Sequence, residues 1–277
     1  MRYLLLLIWS LNLFAAQALE IKAPDSLESI FQQDQFHYYR GDEIKMVLAG
    51  ETEFATLFRD RTSAMAKGIV ILMPDWQLPA NNYYGLDSLR KTLNQYGWVS
   101  YAMNIPDPIA FYQQEIKADN TLFHAPDAER LDTDALNAYQ LQLMSRFKAV
   151  YQTALGHPGF IIVIAQGATS TLLVDYFAKT PEEEVDALIF LSSYLPDRAK
   201  NELLNQNFAK VKPPVLDIFS TADSSLVKET LSQRKIIATR EHKLNYRQRE
   251  LFNSQTSPQQ QARLTKEIYG FLTKSGL

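Results

Sequence analysis

The chain has 277 residues, a formal net charge of -3 at pH 7 and no cysteine. Hydrophobic residues make up 46% and charged residues 21%, a globular composition that excludes a wholly disordered chain. The lack of cysteine excludes disulfides, thiol nucleophiles and thiolate metal sites. A slightly acidic balance without a long basic run argues against a nucleic-acid partner.

The N-terminus has the pattern of a signal peptide. Arg2 supplies the positive charge, residues 4–14 are almost all apolar, and Ala16-Gln17-Ala18 is a small-x-small cleavage site. The apolar stretch is shorter than the ~20 residues of a membrane-spanning helix, which argues against the alternative of an uncleaved anchor. We therefore predict a signal peptide over 1–18, a single domain over 19–277, and a periplasmic or secreted bacterial protein that does not span the membrane after cleavage.

The first part of the mature chain gives weak signals. Residues 19–35 are polar and predict an arm or a short helix. Residues 36–39 and 54–59 predict two edge strands, with turn signals at Gly41 and Gly50 between them.

From Gly68 onward, apolar runs alternate with amphipathic segments. The predicted strands are 69–73, 98–103, 160–164, 187–191, 215–219 and 243–248. The predicted helices are 86–96, 134–155, 168–179, 197–208, 225–238 and 258–272. The alternation predicts an α/β fold, a doubly wound and mostly parallel sheet with helices on both faces and an N-terminal antiparallel edge. One long irregular segment, 106–132, follows a strand on the side where such sheets bind ligands.

The strand at 160–164 runs into Ala165-Gln166-Gly167-Ala168-Thr169 and then a helix. This segment resembles the nucleophile elbow G-x-S-x-G of the α/β-hydrolases, with Gly167 in the serine position. The order of elements over 68–273 also resembles the core of that fold. The chain further resembles the uncharacterised bacterial family named domain of unknown function 3530, on Pro74-Asp75-Trp76, Gln166-Gly167-Ala168 and Tyr246-Arg247-Gln248.

The resemblance assigns roles to several positions. The backbone N–H of Ala168 corresponds to the main oxyanion donor, and the Asp75-Trp76 turn to the place of a second donor. Asp223 corresponds to the acid of a catalytic triad, although the sequence equally allows it as an N-cap of the helix from Ser225. The resemblance predicts the fold of the chain but does not identify a reaction that it catalyses.

The triad histidine of such a fold follows the last strand, and the corresponding residues 250–258 contain none. The four histidines of the chain are His37, His124, His157 and His242. Only His124, in the long irregular segment, is placed to reach the crevice. An alternative nucleophile would be Ser170, Ser192 or Ser193, and each would need a base within hydrogen-bond reach.

No H-E-x-x-H, phosphate-binding loop or dinucleotide fingerprint is present, so we expect neither a metal nor a cofactor. The sequence favours an exported α/β-hydrolase-like protein without a working Ser-His-Asp triad, which binds an unknown small molecule or an envelope protein. Asp75, Trp76, Gln166 and Ala168 would line its crevice. The alternatives are an active hydrolase of ester, thioester or amide bonds with a displaced nucleophile and base, and an envelope interaction protein that uses the fold as a scaffold. Whether the protein is an enzyme stays open.

Overall fold

A computed structural model of the chain describes residues 25–107, 131–181, 184–253 and 256–277. The predicted signal peptide lies outside these residues, as do His124 and most of the long irregular segment. None of the helices within the described ranges is both long and apolar enough to cross a membrane.

The described elements form one sheet with helices around it. The strands are β1 (Ile44–Ala49), β2 (Thr52–Arg59), β3 (Gly68–Met73), β4 (Trp98–Met103), β5 (Phe160–Gln166), β6 (Ala187–Leu191), β7 (Val215–Ser220) and β8 (Tyr246–Leu251). The helices are α1 (Leu27–Tyr38), α2 (Leu86–Thr92, extended by a 3₁₀ turn at Leu93–Tyr96), α3 (Thr133–Leu155), α4 (Gly167–Lys179), α5 (Arg198–Lys210), α6 (Ser225–Arg240) and α7 (Pro258–Lys274).

The strand order is β1-β2-β4-β3-β5-β6-β7-β8. β1 pairs antiparallel with β2 and β2 antiparallel with β4, while all other neighbouring strands pair in parallel. The predicted fold class, a mostly parallel sheet with an antiparallel N-terminal edge, is therefore confirmed.

The core lies in two layers, one on each face of the sheet. Along β3, Ile69, Ile71 and Met73 belong to one layer, and Val70 and Leu72 to the other. This alternation follows from the two-residue period of a strand, and a run that is apolar at every position suits a strand buried on both faces. α3, α4 and α5 complete the first layer, and α2 and α7 the second.

The strand predicted at 36–39 is wrong, because these residues end the helix α1 and lead out of it. The helix begins with Ser26, whose hydroxyl accepts a hydrogen bond from the Ser29 N–H at 3.1 Å. Near its other end, the buried Gln35 exchanges two amide hydrogen bonds with Asn104, at 2.8 and 2.7 Å. Capping and this tertiary contact outweigh the strand preference of the aromatic residues. The outer edge strand is β1 instead.

The last strand begins three residues later than the predicted 243–248. The Lys243 N–H donates to the Ala238 carbonyl at 2.9 Å, and the Tyr246 N–H donates to the Lys243 carbonyl at 3.2 Å. These bonds form a turn that includes residues 243–245, the first three positions of the predicted strand. The other predicted strands and helices from Gly68 onward agree closely with the structure.

A buried ion pair joins the sheet to α6. Asp217 of β7 and Arg234 of α6 both have fully buried side chains and lie 3.3 Å apart. Tyr246 donates its hydroxyl hydrogen to Asp217 at 2.7 Å, and burial together with this carboxylate raises the pKa of Tyr246. Arg234 donates to the Ser193 carbonyl at 2.7 Å and to the Thr230 hydroxyl at 2.6 Å. The pair thus connects β6, β7 and β8 with one helix.

We expect Arg234→Met to lower the free energy of unfolding by about 3–5 kcal/mol, because it leaves the Asp217 carboxylate buried without its counter-charge. Urea unfolding followed by circular dichroism measures the loss. Arg240→Met, at an exposed position in the last turn of the same helix, is the matched control and should change stability by less than about 1 kcal/mol. Equal losses in the two variants would contradict the role given to this ion pair.

Candidate functional site

The candidate site lies at the carboxyl edge of the sheet, beyond the ends of β3 and β5. The chain order reverses here, because β4 lies on the far side of β3 and β6 on the far side of β5. Such a switch point is where open α/β sheets bind ligands. A cavity of about 400 Å³ opens at this place, and residues in its wall include Asp75, Tyr84, Gln166, Ser192, Tyr194 and Asp223.

The elbow geometry is present without its nucleophile. β5 ends at Gln166 and α4 begins at Gly167, so strand and helix meet without an intervening loop. Gly167 has φ +60°, in the left-handed region. That conformation costs a residue with a side chain about 1–2 kcal/mol, whereas glycine adopts it freely.

The carboxyl group of Asp75 occupies the space that a side chain at position 167 would need. A Cβ built on Gly167 would lie less than 3.0 Å from the Cγ and from both carboxyl oxygens of Asp75. Asp75 follows β3, and this turn reaches across to the start of α4. A serine at position 167 would therefore require Asp75 to move.

The Asp75 carboxylate also takes the two amides that the resemblance assigns to the oxyanion hole. The N–H groups of Ala168 and Trp76 each donate to Oδ1 of Asp75 at 2.8 Å. The hydroxyl of Tyr194 donates to Oδ2 at 3.2 Å. A negative charge at the N-terminus of α4 is also favoured by the helix dipole. The place where an oxyanion would bind thus holds an anion from the protein itself.

Burial raises the pKa of Asp75 to about 6, even though the hydrogen bonds from Ala168, Trp76 and Tyr194 lower it. Desolvation is the largest cause, because it penalises the charged form. Asp75 is therefore mainly ionised at neutral pH and becomes protonated in mildly acidic solution.

The predicted lining residues divide into two groups. Asp75 and Gln166 line the cavity as predicted. Trp76 and Ala168 are not in its wall, because their backbone N–H groups are turned to the Asp75 carboxylate. The Trp76 ring is 3% exposed and packs edge-on against Tyr139, with ring centroids 6.3 Å apart. Burial and the charge of Asp75 raise the pKa of Tyr139.

Among the alternative serine nucleophiles, Ser192 lines the cavity, whereas Ser170 and Ser193 are not in its wall. Ser170 and Ser193 are both fully buried. Oγ of Ser170 lies 2.6 Å from the Gly167 carbonyl oxygen and 2.7 Å from Oγ of Ser193. The structure thus brings the two hydroxyls together but gives neither of them access to the cavity.

The described histidines lie away from the site. His157 and His242 precede β5 and β8, at the amino ends of those strands, and His37 lies in α1. His124 lies outside the described residues. Within the described part of the chain, no group of three or more histidine or acidic side chains could hold a metal ion.

Asp223 lies in the cavity wall and is not the helix cap. Its carboxylate accepts the Ser220 N–H at 2.7 Å and a hydrogen bond from the Ser192 hydroxyl. The N-cap of α6 is Ser224, so the alternative prediction that Asp223 caps this helix is wrong. Burial is the largest cause of the raised pKa of Asp223. The backbone of Ser192 has φ +53°, a strained conformation that a residue with a side chain seldom adopts.

The loop after β8 contacts the Asp223 turn, as it does where a triad is complete. The Asn253 N–H donates to the Thr221 hydroxyl at 2.9 Å, and the Ser220 hydroxyl donates to the Asn253 carbonyl. The acid and the final loop are thus adjacent, but residues 250–258 contain no histidine.

Sequence reasoning missed the contributions of Tyr84 and Tyr194, and it missed what Asp75 does. One signal could have revealed the role of Asp75. The turns after β3 and β5 adjoin when these two strands are neighbours. A glycine in the serine position of one turn leaves space, and an acidic side chain in the other turn is of a size to fill it.

We expect Gly167→Ala to lower the free energy of unfolding by about 3 kcal/mol or more, because backbone strain adds to the clash with Asp75. In an Asp75→Ala background the clash is gone, and the same substitution should cost only about 1–2 kcal/mol. A double-mutant cycle from chemical denaturation measures this coupling.

The control is Gly50→Ala, since Gly50 has φ +64° with no atom within 4 Å of an added Cβ. It should cost only the backbone strain of about 1–2 kcal/mol, whatever residue stands at position 75. A cycle at position 167 with no coupling would overturn the contact between Gly167 and Asp75.

The folded-state pKa of Asp75, about 6, lies above its ordinary value of 3.8. The folded protein then keeps a proton that the unfolded chain has lost, so this group's contribution is complete below pH 3.8 and disappears as the pH rises through about 6. We expect the loss to approach about 3 kcal/mol in the wild type and to be absent from Asp75→Asn. Chemical denaturation at pH values from 4 to 7.5 measures the free energy of unfolding of the wild type and of Asp75→Asn. Asp42→Asn, in an exposed turn, should follow the wild-type profile, and an Asp75→Asn profile parallel to the wild type would refute the shift.

Solved structures with the same architecture include two whose titles name a putative hydrolase or a hydrolase homologue. Est1E from Butyrivibrio proteoclasticus matches with a TM-score of 0.58 at 10% identity, covering 84% of this chain and 98% of its own. A putative dienelactone hydrolase from Klebsiella pneumoniae matches with 0.56 at 12% identity, covering 83% and 97%. An alpha-beta serine hydrolase homologue from Coxiella burnetii matches with 0.55 at 10% identity, covering 83% and 97%. At such identities the likeness shows the α/β-hydrolase fold alone.

No curated protein sequence matches the chain. The profile of the family described as protein of unknown function DUF3530 matches residues 20–274, which is nearly the whole sequence. The resemblance drawn from the Asp75 turn and the Gly167 elbow is thereby confirmed. The chain belongs to the DUF3530 family and has the α/β-hydrolase fold.

Proposed function

We propose that this protein is an exported, non-catalytic member of the α/β-hydrolase fold that binds a small ligand in the cavity at the carboxyl edge of its sheet. The observation that most directly supports this proposal is the position of Asp75. Its carboxyl group fills the space next to Gly167 and accepts the amides of Ala168 and Trp76 at 2.8 Å. At position 167 a reacting carbonyl group would find neither a nucleophile nor a free oxyanion hole.

Displaced serine chemistry is the competing function, and the hydrolase titles of two structures with this fold favour it. It requires a serine hydroxyl that substrate can reach and a base beside it. Ser170 and Ser193 are 0% exposed and contact each other. These contacts argue against Ser170 and Ser193 as nucleophiles and support the binding function. Ser192 lines the cavity, but the group beside its hydroxyl is the Asp223 carboxylate, and none of the described lining residues is a histidine.

A second competing function uses the fold only as a scaffold for an envelope partner. The cavity argues against this, because its volume of about 400 Å³ and its position at the switch point are those of a small-molecule site. Polar side chains at the ends of β3, β5, β6 and β7 converge on it.

Export to the cell envelope rests on the sequence. Arg2, the apolar run and Ala16-Gln17-Ala18 form the three parts of a signal peptide. The family match begins at residue 20, directly after the predicted cleavage site. A chain without cysteine also folds without depending on the redox state of its compartment.

The test is labelling of the mature protein with a fluorophosphonate probe, together with a series of p-nitrophenyl esters and an established serine hydrolase as positive control. We expect no labelled residue and no ester turnover above the buffer rate, in the wild type and in Ser193→Ala alike. A label on a single serine, with turnover that its alanine variant abolishes, would replace the proposal by the displaced hydrolase.

A further inference from the structure

We infer that the ligand of this cavity is an organic cation, an amine with an apolar body, held by acceptor groups that replace the donors of a hydrolase site. This inference rests on the proposed binding function and specifies its ligand class. It starts from the chemistry of the cavity wall, where Asp75 and Asp223 supply two carboxyl groups. None of the described lining residues is lysine, arginine or histidine.

The donors that would attract an anion are already used. The Ala168 and Trp76 N–H groups both point at Oδ1 of Asp75. Oδ2 of Asp75 accepts one hydrogen bond, from Tyr194, at the long distance of 3.2 Å. A carboxylate oxygen has room for a further donor, so Asp75 offers the cavity an acceptor and a negative charge.

An independent observation comes from Gln166, which is 7% exposed and lines the cavity. Its amide nitrogen donates to the Tyr84 carbonyl at 3.2 Å, which fixes the orientation of the amide. Its amide oxygen is buried and has no hydrogen-bond partner among the described residues. A buried acceptor without a partner costs stability, and a ligand that donates a hydrogen bond would remove that cost.

The cation that acts on Asp223, Lys228, is not available to neutralise the cavity. Lys228 influences Asp223 through its charge, but its ammonium group donates to the Thr221 carbonyl at 2.8 Å and it does not line the cavity. The pair of carboxyl groups therefore leaves a net negative field inside the cavity, which favours a cationic ligand.

The rest of the cavity wall is suited to the apolar part of an organic amine. Leu78, Ala222 and Val227 give it apolar surface. Tyr84 lies in the wall and stacks on Tyr83 with ring centroids 4.5 Å apart. Aromatic faces bind ammonium groups through their quadrupole, so the tyrosines add to the attraction of the carboxylates.

The test uses three probes of one shape, phenethylammonium, 2-phenylethanol and 3-phenylpropionate, which are cationic, neutral and anionic. Saturation-transfer NMR at pH 7.5 and millimolar concentration measures the binding of each to the wild-type mature protein. We expect the cation to bind at least about tenfold more tightly than the alcohol, and the carboxylate not to bind, since one hydrogen-bonded ion pair accounts for a factor of this size.

Variants assign the binding to this cavity. Asp75→Asn and Asp223→Asn should each weaken the cation about tenfold. Ala222→Lys places an ammonium group at an exposed position of the wall and should abolish binding without disturbing the core. Ala222→Gln is the control of similar reach and should bind as the wild type does.

The outcomes separate this inference from the proposed function. Binding of the carboxylate or the alcohol at least as tightly as the cation would overturn the ligand class and leave the binding function in place. Absence of binding by all three probes, or cation binding that Ala222→Lys does not change, would also overturn the inference. A fluorophosphonate label in the wild type would instead remove the proposed function itself.

Discussion

The arrangement of the site depends on one buried carboxylate, that of Asp75, which accepts hydrogen bonds from backbone N–H groups of the protein. Asp75 accepts the N–H of the following residue, Trp76, and also the N–H of Ala168 in the first turn of α4. These bonds join the end of β3 to the end of β5, the two central strands at the switch point. The charge is buried, and the hydrogen bonds with the helix dipole offset only part of its desolvation. The raised pKa of Asp75 is the consequence of that imbalance.

The same carboxylate reverses the electrostatic character of the site. An α/β-hydrolase presents donors to stabilise a developing negative charge. Here the Ala168 and Trp76 donors are occupied, and the cavity is lined by the carboxyl groups of Asp75 and Asp223 and by Gln166, whose amide oxygen has no partner among the described residues. The fold is retained while the chemistry of its crevice has the opposite sign, which is why likeness to esterases in backbone alone does not carry their reaction to this chain.

Sequence patterns predicted the sheet well where strands are buried on both faces, because β3 and β5 are continuous apolar runs with little competition from other structures. They failed at 36–39, where a hydrogen bond between Gln35 and the distant Asn104 supports a helix. For the site, the sequence identified the Gly167 elbow, the Asp223 turn and the histidine-free loop by their places along the chain. It did not predict that Asp75 fills the vacant position, because that contact joins residues far apart in the chain and depends on the order of the strands.

The close approach of Asp75 to Gly167 also constrains how the sequence can evolve. A single change of Gly167 to serine meets the carboxyl group of Asp75, and a single change at Asp75 leaves a glycine with no reactive group. Neither step alone moves the protein toward ester chemistry, and the missing histidine requires a third. A side chain at position 167 is therefore accommodated only together with a smaller or displaced residue at position 75, so we expect the two positions to vary together.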